Sequence, residues 1–175
     1  MNPVAAKKPG LERSTLLLPT RIAAAVALAV SVGVFVLVGL IAPDHGPTRI
    51  SMRQGIALAA VFAAPPIGVL ISPVNAASMV ALGGAMFVAG AATTPGGNLL
   101  GPIMMAPGLL LLLVGASHRP PLTAALIGRF LLYAIALVVG VVLALGTGVL
   151  TGLGALLVAA VVASSTRWRT DRDIR

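Results

Sequence analysis

The chain opens with a polar, proline-broken stretch and then turns apolar for almost its whole length. Residues 1–21 carry Lys7, Lys8, Glu12, Arg13 and Arg21 together with Pro3, Pro9 and Pro19. This is the pattern of a disordered or interfacial tail. Ile22 to Ala42 follows as an uninterrupted apolar run, and a bilayer-crossing helix needs about 20 such residues. A basic start before an apolar run is also the layout of a cleaved signal peptide. This run is longer than a typical h-region, however, and Ile41-Ala42-Pro43-Asp44 is a poor small-x-small cleavage site, so we read it as a retained signal anchor.

Pro43 to Arg53 is the one interior stretch with several polar groups, and its Pro and Gly residues mark it as a loop. From Gln54 to His118 there is no charged residue if His is neutral, a stretch far too long for a single span. Two turn-like clusters divide it, Ser72-Pro73-Val74-Asn75 and Thr94-Pro95-Gly96-Gly97-Asn98. The expected helices are therefore 54–71, 76–93 and 99–116. Ser117-His118-Arg119-Pro120-Pro121 is a stop, 122–146 is a run long enough to cross with tilt, and Thr147-Gly148 turns the chain into a last helix at 149–166. The expected fold is thus an all-α, polytopic membrane bundle of six helices, with tails at 1–21 and 167–175. The alternative is four spans plus a re-entrant hairpin between Gln54 and Asn98, because Pro65 and Pro66 fall in the middle of that weak stretch.

Composition agrees with this pattern and excludes a soluble domain. Of 175 residues, 58% are hydrophobic and 9% charged, and the mean hydropathy is +1.07. Ordinary soluble domains carry roughly a quarter charged residues. Six spans would use about 120 residues, which leaves no room for a soluble catalytic domain. Cysteine is absent, which removes disulfides, thiolate metal sites and cysteine nucleophiles together. The net charge of +8 does not point to nucleic acid, because the basic residues flank apolar runs instead of clustering on a polar face. They report orientation instead. With both termini in the cytoplasm, nine basic residues (Lys7, Lys8, Arg13, Arg21, Arg119, Arg167, Arg169, Arg172 and Arg175) fall inside, against Arg49 and Arg53 outside. Ten arginines to two lysines, with Ala, Gly, Val and Leu dominant, is the bias of GC-rich codons. The expected setting is a bacterial cytoplasmic membrane.

Chemistry is sparse. Glu12, Asp44, Asp171 and Asp173 are the only carboxylates, and none falls in an expected span. Proton- or sodium-coupled transport by a mid-membrane acid is therefore not expected. His45 and His118 fall in loops on opposite sides, so no catalytic residue, metal site or cofactor is expected. His45 with Asp44 lacks a nucleophile and reads as a solvated loop.

Arg129 is the only charge within an expected span. At about seven residues, or about 10 Å, from the helix start, it has a plain reading, a side chain snorkelling to the interface. The sharper reading joins it with His118 and Arg119 in an anionic-lipid contact.

Pro65, Pro66 and Pro107 are expected to kink their helices, which serves packing or a hinged substrate path. Gly83, Gly84 and Gly90 in the third helix, with Gly140, Gly146, Gly148, Gly152 and Gly154 near the fifth and sixth, create smooth faces, and Gly148-x-x-x-Gly152 has the spacing of close helix approach, for internal packing or for docking on another chain. Asn75 and Asn98 fit turns. The recurring Ala-Pro pairs at 42–43, 64–65 and 106–107 have unequal spacings and make no repeat.

The function read from these features is a non-enzymatic accessory or assembly partner of a larger membrane complex, with the lipid bilayer and a larger membrane protein or a homo-oligomer as partners. The alternative is a small oligomeric permease or lipid transporter. A membrane enzyme acting on lipid headgroups is the weakest reading, since it lacks acid-base residues near one interface.

Overall fold

Proline and glycine break an otherwise continuous apolar chain into separate helices. The computed structural model describes residues 19–33, 52–71, 76–94, 100–119 and 122–167, and among them it is all-α with six helices and no strand. The helices are α1 (Pro19–Gly33), α2 (Met52–Ile71), α3 (Ala76–Thr93), α4 (Leu100–Ser117), α5 (Ala124–Ala144) and α6 (Leu150–Arg167). From α2 onward each boundary lies within two residues of the expected one. The region from 54 to 98, where a re-entrant hairpin was the alternative, forms the two helices α2 and α3. The rest of the first apolar run (34–42), Asp44, His45, Asn75 and Asn98, and most of both tails lie outside the described residues.

One boundary differs. The expected tail ran to residue 21, but α1 already begins at Pro19. Proline suits a first helical position, where its missing N–H would have had no partner anyway. The reading from composition alone took Pro19 as a breaker when it is a starter. α1 then turns Thr20, Ala23, Ala24, Ala27 and Ser31 inward, a helical spacing of three and four, and the Ser31 hydroxyl donates to the Ala27 carbonyl at 2.8 Å.

The remaining helices pack in sequence across the molecule. α4 lies mainly on α3, α3 stands between α4 and α5, and α5 lies against α6, with α2 filling the angle between α6 and α5. Leu58, Phe62, Met79, Met86, Met104, Leu111 and Leu137 are fully buried at the centre. α2 runs unbroken through Pro65 and Pro66, and α4 through Pro107. All three prolines are fully buried, so the backbone they perturb is shielded by neighbouring helices.

The α3–α4 hairpin is built on close backbone approach. A methyl group added to Gly90 would meet the Gly101 carbonyl oxygen at 2.7 Å, one on Gly83 the Gly108 carbonyl oxygen at 2.6 Å, and one on Gly115 the Ala76 carbonyl oxygen at 3.0 Å. Residues 76, 83 and 90 of α3 thus oppose 115, 108 and 101 of α4. The order reverses, so the helices are antiparallel, and the contacts repeat every seven residues, the repeat of a left-handed helix pair.

α5 is apolar on both its buried and its exposed face. The inward positions are Leu126, Tyr133, Ala136, Leu137, Gly140, Val141 and Ala144, a set that includes a hydroxyl and three small residues. The outward positions include Ile127, Leu131, Leu132, Ile135, Val138 and Val142, with Ile135 62% and Val142 63% exposed. The outward face is entirely apolar, and the inward face mixes Leu126, Leu137 and Val141 with the small residues and the Tyr133 hydroxyl. Among the described residues, Arg53–Ile71 and Ala124–Ala144 are the two helices long and apolar enough to cross a membrane.

Candidate functional site

The inward stripe of α5 carries the polar chemistry of the bundle. Arg129 stands three residues after Leu126 and four before Tyr133, so the helical repeat turns it toward the same interior face. It is half-buried, and its Nη1 donates to the Ser78 Oγ of α3 at 2.9 Å. One turn on, the Tyr133 hydroxyl lies 2.6 Å from the Ser165 Oγ of α6. Ser165 in turn donates to the Val162 carbonyl at 2.8 Å, so the arrangement that satisfies both hydroxyls has Tyr133 donating to Ser165. Two side-chain bonds one turn apart therefore tie α5 to α3 and to α6. Among the described residues no buried side-chain nitrogen or oxygen lacks a partner.

His118 and Arg119 are occupied differently. α3 and α4 are antiparallel, so the end of α4 lies at the same end of the bundle as Ser78 and Arg129. Both residues are exposed, however, and they finish α4. The Arg119 N–H donates to the Ala116 carbonyl at 2.9 Å, and Arg119 sits at φ 47°, in the left-handed region where helices commonly stop. The His118 Nδ1 lies 2.9 Å from the Val114 carbonyl oxygen and 3.2 Å from Ser117 Oγ. The positive Arg119 side chain just past this helix end complements its negative pole. The expected trio of His118, Arg119 and Arg129 is not brought into one cluster of contacts: Arg129 is bonded to Ser78 at the α3–α5 seam, while His118 is bonded to its own helix.

The glycines divide the same way. Gly83 lies in the α3–α4 contact, and a methyl on Gly84 would meet the Phe130 ring at 3.3 Å. Around Gly148 and Gly152 an added methyl would meet nothing within 4 Å among the described residues, so none of the described helices packs on Gly148-x-x-x-Gly152. Gly148, at φ +63°, turns the chain between α5 and α6. The close approach of these two helices falls instead at Gly140 and Gly154, where an added methyl on Gly140 would meet Val158 Cγ2 at 2.7 Å. The spacing of four that drew attention in the sequence lies on an exposed edge. The spacing of seven in α3 and α4 was the informative one.

At the opposite end, Gln54 reaches across from α2. Its Nε2 donates to the Leu145 carbonyl at 2.7 Å, which supplies a donor to the last turn of α5. Arg53, Gln54, Gly146, Thr147, Gly148 and Thr151 line a shallow, open pocket of about 330 Å³ there. No group of three or more His, Asp or Glu residues gathers among the described residues. Ser78, Ser165 and Gln54 were missed in the sequence because each is a single polar residue whose partner is distant along the chain. The three- and four-residue spacing of Leu126, Arg129 and Tyr133 was the one available signal. Comparisons of this chain with protein-family models, with curated proteins and with solved structures find no match.

Proposed function

We propose that this chain is a six-span integral membrane protein with both termini in the cytoplasm, and that it serves without catalysis as an accessory or assembly partner of a larger membrane complex. The observation that carries the membrane reading is the wholly apolar exposed face of α5, with Ile127, Leu131, Leu132, Ile135, Val138 and Val142 outside. Lipid tails solvate the outer set, and helices in lipid associate through small residues and interhelical hydrogen bonds. Helices of 18 residues are about 27 Å long, close to the roughly 30 Å hydrocarbon core. The antiparallel order of α3 and α4 suits consecutive crossings, and the nine-to-two distribution of basic residues supports the orientation.

The accessory role is supported by what the interior is made of. Its seams carry glycine, alanine and the Tyr133–Ser165 hydroxyl pair, and no carboxylate lies among the described residues. The permease alternative has less support, because Pro65, Pro66 and Pro107 are fully buried. The test is purification in mild detergent through a C-terminal tag, together with reporter fusions after α1, α2, α3, α4 and α5. A stoichiometric membrane subunit in the eluate and alternating reporter activity are the expected results. A monodisperse monomer with no companion would overturn the accessory role, and non-alternating reporters would overturn the six spans.

A further inference from the structure

We propose that Arg129, held by Ser78 at the seam of α3 and α5, is a binding site for a phosphate group, supplied by the headgroup of an anionic phospholipid or by free phosphate. The lipid source rests on the membrane reading above; the phosphate chemistry does not.

The argument begins with charge. The Arg129 guanidinium is permanently cationic and half-buried on the interior stripe of α5. Ser78 Oγ, its partner at 2.9 Å, is a neutral oxygen. It satisfies one of the five N–H donors and none of the charge. Among the described residues there is no carboxylate at all, since Glu12, Asp44, Asp171 and Asp173 all fall outside them. A cation withdrawn from water needs a counter-charge. Here the described chain supplies none, so an anion from outside is the natural complement.

Access is built in beside it. Helical side chains lean toward the N-terminus of their own helix, and on that side of Arg129 lie Ala125 and Gly128, both exposed. A methyl added to Gly128 would meet nothing within 4 Å. An anion can therefore approach the guanidinium over small residues from the periphery. Ser78 is the third residue of α3, so the positive end of that helix adds to the attraction. The bond to Ser78 fixes the orientation of the guanidinium. A planar fork in a fixed orientation suits bidentate recognition of phosphate oxygens.

The experiment uses the full-length protein, purified in detergent and exposed to equal amounts of phosphatidylglycerol and phosphatidylcholine, with bound lipid read by native mass spectrometry. The wild type is expected to retain phosphatidylglycerol preferentially. Arg129→Gln should lower that retention about tenfold, the scale of losing a charge-assisted hydrogen bond. Arg129→Lys, which keeps the charge, should recover part of it, which a merely structural role would not predict. In a parallel arm inorganic phosphate alone is titrated into delipidated protein. Phosphate binding that is lost in Arg129→Gln, with no lipid preference, assigns the site to free phosphate and upholds the chemistry. This arm still reads the site should the protein prove not to be embedded in a membrane. Equal retention of the two lipids by the wild type together with no phosphate binding overturns the proposal, whatever the variants do. So does unchanged retention in Arg129→Gln that elutes and stays helical like the wild type. Retention that appears only after Asp171→Asn with Asp173→Asn would assign the counter-charge to the chain itself, and likewise overturn it.

Discussion

The hairpins α3–α4 and α5–α6 are alike in length and composition yet are held by different means. α3 and α4 touch backbone to backbone at three levels, 76 with 115, 83 with 108 and 90 with 101. α5 and α6 touch this closely at one level, Gly140 with Gly154, and add a side-chain bond, Tyr133 with Ser165. The difference shows two ways of joining apolar helices. One excludes side chains so that dispersion acts between backbones along the whole seam; the other concentrates the attraction in a polar bond at one end.

Breaking the first seam should therefore cost most. At Gly83 an added side chain would meet the Leu112 backbone and the Gly108 carbonyl, with no flexible end to yield. Gly83→Leu is expected to abolish the monodisperse folded species on size exclusion, and Gly83→Ala to destabilise by about 1–3 kcal/mol, the usual scale of overpacking. Gly140→Ala should be milder, at about 1 kcal/mol, because the nearest atom is the Val158 Cγ2 methyl, which can move. A larger effect at Gly140 than at Gly83 in SDS-driven unfolding followed by circular dichroism would invert the comparison. Tyr133→Phe tests the polar bond alone, since Ser165 keeps Val162 as its acceptor. A loss of about 0.6 kcal/mol is expected, the average for interhelical hydrogen bonds in membranes. Smallest of all, Gly152→Ala meets open space and is expected to be neutral or to stabilise by up to about 1 kcal/mol through helix propensity. A marked loss of the folded species or a changed elution volume in Gly152→Ala would show that this edge is covered by another chain.

Much of the fold was legible because helix breakers are local. Pro73 and Asn75 ended one run and released the next at Ala76, and the Pro120-Pro121 pair forced a restart that Thr123 caps by accepting from the Leu126 N–H at 3.3 Å. Pairing was less legible because it is not local. Gly83 and Gly84 stood out in the sequence, but their partners on α4 could be chosen only once α3 and α4 were known to lie antiparallel in one register. Gly148-x-x-x-Gly152 misled because it matches a motif of close crossings while Gly148 belongs to a turn. For Arg129, the spacing from Leu126 and Tyr133 indicated its face, but its bond to Ser78, 51 positions away on a different helix, was not legible.

The sevenfold register of α3 on α4 also restricts motion. Sliding one helix past the other by a single turn would bring side chains such as Met86 or Leu112 to levels where glycine now meets a backbone carbonyl. A slide of seven residues, about 10 Å of travel, restores only two of the three levels, because the third falls beyond the end of α4. The α3–α4 pair is therefore held to one register, while α3 meets α5 through side chains, with the Phe130 ring beside Gly84 and Arg129 Nη1 donating to Ser78 Oγ at 2.9 Å.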